Sequence, residues 1–310
     1  MVHGLDSRPI TEGFPFHEPE GGKKINSVLI WLGQQPFVLT RQQRLRLRRN
    51  PARTARRAIP TKPGLAVWLG LLLIGSGVLA MADPPDRAAV FAGRVEKAYS
   101  AAKTRLDAHP EDAEAAWQFG RACFDMADLP CPDARREKFA NEGIAACRAL
   151  IERQPDSAAG HYYLGMDLAE LARTKSLGAL KIVRQMETEF TAVIKLDAKL
   201  DYGGADRNLG LLYRDAPGWP LSIGSKTSAL QHMLNADSLA PSYPENHLNL
   251  IESYLKWGDK DAARQEFKTL KEQWPAAKKE LLGEYWESSW ADWEQRRKDC
   301  ESKLGEARSQ

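Results

Sequence analysis

The sequence predicts an all-α fold, a right-handed helical-repeat solenoid of about four helical hairpins with flanking capping helices. Three observations predict it. The stretch from Lys199 to Pro241 reads as two apolar-periodic segments joined by a Pro/Gly-rich turn, Ala216-Pro217-Gly218-Trp219-Pro220. Four segments align with one another: AWQFGRACFD from Ala116, HYYLGMDLAE from His161, DRNLGLLYRD from Asp206 and HLNLIESYLK from His247. No stretch alternates apolar and polar residues as a half-buried strand would.

Each aligned segment is read as the first helix of a unit whose second helix ends at a stop. The stops are Pro155, Ala198, Pro241 and Pro275, and Pro110 ends the segment before the first. Proline stops a helix because it lacks an amide donor. Residues 87–108 predict one amphipathic helix before the array, and 276–305 another after it. The latter carries Trp286, Trp290 and Trp293 on one stripe, read as a seal on the last unit or as a partner contact.

The units resemble the tetratricopeptide repeat (TPR), so the expected solenoid is TPR-like. The fourth fits the pattern best, with Ala263, Phe267 and Pro275 at small, aromatic and closing positions. The third offers Gly210, Tyr213, Ala229, Ala236 and Pro241, the second Leu164, Gly165 and Phe190, the first Phe119, Gly120 and Pro155. A small residue lets two helices approach, and an aromatic fills the space one turn away. The first three units are longer than the repeat. The surplus is expected between their two helices, as three long loops on one edge.

The third unit also resembles the T component of tripartite ATP-independent periplasmic (TRAP) transporters. The resemblance rests on Tyr202, Gly203, Gly204, Arg207, Leu209, Gly210, Tyr213, Pro217 and Gly224. It implies an exported accessory protein that contacts a solute-binding protein, assembles into a homo-oligomer, and holds a small apolar or anionic ligand. No Cys follows the apolar run at 65–82, so the lipid anchor common in that family is not expected.

Three segments are expected along the chain. Residues 1–64 read as a basic leader, disordered or translated from too early a start, with eight arginines from Arg41 to Arg57. Residues 65–82 read as a signal peptide closing on Ala80-Met81-Ala82, or as a membrane anchor. Residues 83–310 form the repeat domain. The implied location is periplasmic or otherwise exported, with membrane contact only through 65–82 if uncleaved. Residues 1–82 hold 12 Lys or Arg against 4 Asp or Glu, whereas 83–310 hold 32 against 37. The body is mildly acidic, which argues against a nucleic-acid partner.

The four cysteines all lie in the body. Cys123–Cys147 and Cys123–Cys131 are possible bridges, and small buried thiols are the alternative. No CxxC or paired-His spacing is present, so no metal or cofactor is expected. His161, Asp206 and His247 share one slot in successive units. Equivalent positions lie roughly 10 Å apart by helix-packing distances, too far to ligate one ion together. No nucleophile motif appears, and an enzyme is not expected.

The candidate binding residues face outward on the first helices. They are Trp117, Arg121 and Phe124 in the first unit, Tyr162 and Met166 in the second, Arg207, Leu211 and Arg214 in the third, and Leu248 and Glu252 in the fourth. Aromatics give contact area at low entropy cost, and an arginine fork holds a carboxylate with two hydrogen bonds. The groove therefore suits a protein partner's peptide or a small anionic or amphipathic ligand. Two alternatives stay open: Arg207 as a scaffold ion pair to Asp201, Asp206 or Asp215, and Trp117 and Tyr162 as contacts between repeats. Gly203-Gly204 is read as a bend into the third hairpin.

Overall fold

The computed structural model describes residues 87–175 and 178–305, so the leader and the 65–82 segment lie outside it. Among the described residues ten α-helices follow one another. An opening helix α1 (Arg87–Ala108) precedes four hairpins: α2 (Ala113–Asp128) with α3 (Asp133–Arg153), α4 (Ala158–Arg173) with α5 (Ala179–Asp197), α6 (Leu200–Asp215) with α7 (Lys226–Leu239), and α8 (Pro244–Lys256) with α9 (Lys260–Glu280). A short 3₁₀ turn (Glu284–Trp286) leads into α10 (Glu287–Gly305). The fold is an all-α, TPR-like solenoid. Among the described residues no helix is long and apolar enough to cross a membrane.

Local chemistry sets the starts. The Asp112, Ser157, Ser225 and Asp259 side chains each accept a hydrogen bond from an amide in the first turn of α2, α4, α7 and α9. Pro244 opens α8, where its missing amide costs nothing. Packing sets the rest. Gly165 meets Phe190 so closely that a Cβ would lie 2.7 Å from the ring, and a Cβ at Gly210 would lie 2.6 Å from Met233.

Three expectations are corrected. First, the surplus length of units one and two lies in helix, not loop: α3 has 21 residues and α5 has 19. Phe139, Ala140, Gly143, Ile144, Cys147 and Leu150 are buried along α3, and Ala179, Val183, Met186, Phe190 and Val193 along α5. That spacing keeps one apolar face for the whole length, so the added residues stay helical. Only the third unit places its surplus in a loop, residues 216–225.

Second, Pro275 lies inside α9 rather than ending it. An interior proline costs about 3 kcal/mol. Beyond it Ala277 and Leu281 are buried in the last core cluster, and Trp274 meets Trp290 edge-on at 5.3 Å. Burying one leucine is worth about 1.5–3 kcal/mol, so these contacts offset the proline. Third, the helix expected over 276–305 is broken at 281–286, where Gly283 takes φ +94°.

The Trp stripe packs onto the last unit. Trp293 is buried, Trp286 and Trp290 pack against the same cluster, and the Trp290 Nε1–H donates to the Leu281 carbonyl at 2.8 Å. Arg296 locks α10 to α8, holding Glu252 with two bonds of 2.9 Å. Glu252, expected to face outward, is taken by that pair. Among the described residues no disulfide forms, so neither Cys123–Cys147 nor Cys123–Cys131 is a bridge.

Candidate binding groove

The two ends of the array meet across a cavity of about 640 Å³. Arg94 and Arg105 of α1 line one side, Gln118, Arg121 and Asp125 of α2 the floor, and Asp201, Tyr243, Tyr285 and Trp286 the other side. Arg94 pairs with Glu284 and, at 3.5 Å, with Glu287. Arg121 donates to the Tyr285 hydroxyl, and its guanidinium lies 5.2 Å from the centre of that ring. Among the described residues it forms no carboxylate salt bridge.

The far wall is an unusual turn. Asp201, Tyr202 and Gly203 all adopt left-handed backbone, with φ +51°, +58° and +75°. The expected bend at Gly203 therefore begins two residues earlier, at residues that pay roughly 1–2 kcal/mol each for that conformation. Convergent hydrogen bonds hold it. The Arg207 Nη1 donates to the Asp201 and Tyr202 carbonyls at 3.1 and 3.3 Å and to Asn246 Oδ1 at 3.2 Å. Its Nη2 bonds the Asp201 carboxylate at 2.5 Å. Asn246 Nδ2 donates to Tyr202 and Ala236 carbonyls, and the Tyr162 hydroxyl donates to Asp201 Oδ2 at 2.5 Å. The Tyr202 ring stacks on Tyr243 at 4.4 Å and 5°. Burial first, and then the Asp201 charge, holds the Tyr162 and Tyr243 hydroxyls protonated well above the usual phenol range.

Of the ten candidate residues, only Arg121 lines this cavity. Trp117 is half-buried and stacks on Tyr163 at 5.7 Å, and Phe124 is half-buried against the central core. Tyr162 and Met166 are buried beneath α6, where Asn208 Nδ2 reaches both. Leu211 is buried with Met233 and Leu250, and Leu248 is buried too. Arg207, at 6 % exposure, faces the turn it holds. Arg214 pairs with Asp215 and reaches Ser253. The reason is common to most of them: the neighbouring first helix or hairpin partner covers the face that an isolated hairpin would present.

Sequence reasoning missed Tyr243, Tyr285 and the arginines of α1. Tyr243 stands before a helix-opening proline, a place with no periodic signal. Tyr285 sat within an expected helix. Each member of the shared slot bonds a residue of its own unit's second helix: His161 bonds Glu189 at 2.6 Å, Asp206 bonds His232 at 2.7 Å and His247 bonds Glu266 at 2.5 Å.

Residues 88–185 match the family described as RMD1-3, Regulator of microtubule dynamics protein 1-3. No curated protein matches the chain. The structure is similar to a thermophilic TPR protein from Thermus thermophilus, with a TM-score of 0.51 and 20% identity over 68% of this chain and 91% of that one. The residues that carry the T-component resemblance, 202–224, lie outside the 88–185 match. What the likeness to the Thermus protein establishes is the architecture: this chain has a TPR-like helical-repeat fold.

Proposed function

We propose that the chain is a non-enzymatic binding scaffold whose groove takes an extended, carboxylate-bearing segment of a partner protein. Arg121 carries this reading. It stands on the groove floor with a tyrosine hydroxyl as its bonded partner, and a guanidinium fork in that setting suits a carboxylate. Tyr285 and Trp286 beside it offer aromatic contact area of the kind that dominates peptide recognition. The test is a peptide library selected on the full chain. Selected peptides should lose at least about tenfold in affinity with Arg121→Ala, the cost of one anchoring contact. Unchanged affinity would move the binding surface elsewhere.

A second reading is favoured by the cavity's size, which falls within the roughly 300–1,000 Å³ of small-ligand sites. Here the groove holds a small anionic or amphipathic molecule. Native mass spectrometry of the purified protein separates the two, since a carrier retains a bound mass and a peptide scaffold does not.

The finer setting we propose is an exported accessory role in TRAP-type solute uptake, with a solute-binding protein as partner and a homo-oligomeric assembly. It rests on the T-component resemblance of the third unit and on the signal-like run at 65–82. N-terminal sequencing of the mature chain should begin at Asp83. Intact Met1 on the mature protein, together with cosedimentation with microtubules, would instead favour the setting named by the RMD1-3 family.

A further inference from the structure

His247 is 1 % exposed and sits where three elements meet. Its Nε2 lies 2.6 Å from the Pro241 carbonyl, which can only accept, so Nε2 carries a proton and Nδ1 points the other way. Nδ1 faces two carboxylates: Glu266 Oε1 of α9 at 2.5 Å and Asp237 Oδ1 of α7 at 3.1 Å. These ligand atoms all lie within 4.8 Å of one another. Among the described residues no Lys or Arg pairs with either carboxylate.

The equivalent place in the second unit shows what is added. His161 makes the same two contacts, Nε2 to the Pro155 carbonyl at 3.0 Å and Nδ1 to Glu189 at 2.6 Å. There, one proton on Nδ1 completes the pair. At His247 one proton completes the bond to Glu266 and leaves the second carboxylate over. Asp237 Oδ1 is buried and, among the described residues, accepts no hydrogen bond.

A neutral imidazole with two carboxylates carries charge −2, which one divalent cation neutralises while bonding all three atoms. A histidine that donates its other ring N–H to a backbone carbonyl is the arrangement metal sites use to fix tautomer and ring direction. One nitrogen and two oxygens suit zinc-type ions over calcium or magnesium, which prefer oxygen alone.

We propose that Asp237, His247 and Glu266 form a three-ligand site for a zinc-type divalent cation, clamping the third repeat unit to the fourth. Bonds of about 2.0 Å would set the ligand atoms roughly 3.3 Å apart. The two carboxylates stand on different helices and are partly exposed, so they can open by that small amount and admit the ion.

The test uses the untagged full chain, stripped with chelator and titrated with ZnCl₂ at pH 8, where proton competition for Nδ1 is weak. The expected result is one tight site per chain. CoCl₂ should give d–d bands without sulfur-to-cobalt charge transfer, which excludes the thiols as ligands. Asp237→Asn keeps the His247 contacts to Glu266 and Pro241, so its fold should persist while zinc affinity falls by at least about a hundredfold. Glu189→Gln, in the sister pair, should leave affinity unchanged. Absence of stoichiometric binding, wild-type affinity in Asp237→Asn, or a thiolate charge-transfer band would each overturn the site.

Discussion

Two turns border the groove and are built in opposite ways. The turn at Asp201–Gly203 puts three successive residues in left-handed backbone, two of them strained non-glycines, and surrounds them with Arg207, Asn246 and Tyr162. The turn at 281–286 uses an unstrained glycine, Gly283, for its positive φ, leaves Leu282 and Tyr285 at 69 % and 63 % exposure, and meets α1 through the exposed Arg94–Glu284 pair and α2 through the half-buried Arg121. Exposed ion pairs of that kind contribute about 0–1 kcal/mol. The difference teaches where each wall draws its stability. The first is held by buried and part-buried hydrogen bonds that converge on two buried side chains, Arg207 and Asn246, and cannot be exchanged for water without loss. The second is anchored at its ends by Leu281 and Trp286, which pack on the last core cluster, and between them is held by contacts that water or a partner can replace.

The largest expected effect tests the fixed wall. Arg207→Ala removes the donor shared by two carbonyls, Asn246 and the Asp201 carboxylate. It should cost about 3–5 kcal/mol, as breaking a buried charged network does. Urea unfolding measures it. A loss under about 1 kcal/mol would mean that the turn needs no such clamp.

A pH titration compares the fixed wall's satisfied network with a buried group that has none. Asp167 is fully buried and, among the described residues, neither carboxylate oxygen has a hydrogen-bond partner. Burial, and then the Glu170 and Asp125 charges, holds its carboxyl protonated well above the usual range. The unfolded chain releases that proton above about pH 4. The contribution of Asp167 to stability is therefore full below that pH and falls by up to about 1.4 kcal/mol per pH unit as the pH rises toward the folded-state value. Asp167→Asn should flatten the profile and be the more stable protein at pH 7. An unchanged profile would contradict the assignment.

A matched pair of substitutions sharpens the contrast between the turns. A Cβ at Gly203 would lie 3.0 Å from the Ala236 Cα, whereas one at Gly283 meets nothing within 4 Å. Gly203, at φ +75° and ψ 29°, is left-handed, where a Cβ costs roughly 1–2 kcal/mol, whereas Gly283, at φ +94° and ψ 173°, lies in a region open essentially to glycine alone, where the cost is about 1–3 kcal/mol. Gly203→Ala therefore adds about 1 kcal/mol of packing strain that Gly283→Ala lacks, and Gly283→Ala carries the larger backbone cost, so urea unfolding should show each variant losing about 2–3 kcal/mol; a loss under about 1 kcal/mol at either would contradict these backbone assignments. Arg94→Ala should have the smallest effect, below about 1 kcal/mol.

The sequence carried the repeat architecture well, because that information is local and periodic. The bounds of α1 agree with the expected 87–108, and the hairpin from 199 to 241 lies where its apolar spacing placed it. Pro155 and Pro241 stand just past the ends of α3 and α7. Pro275 misled because contacts of Trp274, Ala277 and Leu281 with distant α10 outweigh a local rule. The groove was far less legible. Whether Tyr162 or Arg121 reaches solvent depends on how closely the next first helix lies, which no single hairpin encodes. Arg207 fitted a groove and a scaffold equally by type, and only the left-handed turn reveals what its five donors hold.

The most direct test is amide hydrogen exchange across the two walls of the free protein. Amides of residues 204–207 should exchange only with global unfolding, and those of 282–286 orders of magnitude faster through local opening. Comparable protection in both segments would contradict the account of one fixed wall and one replaceable wall.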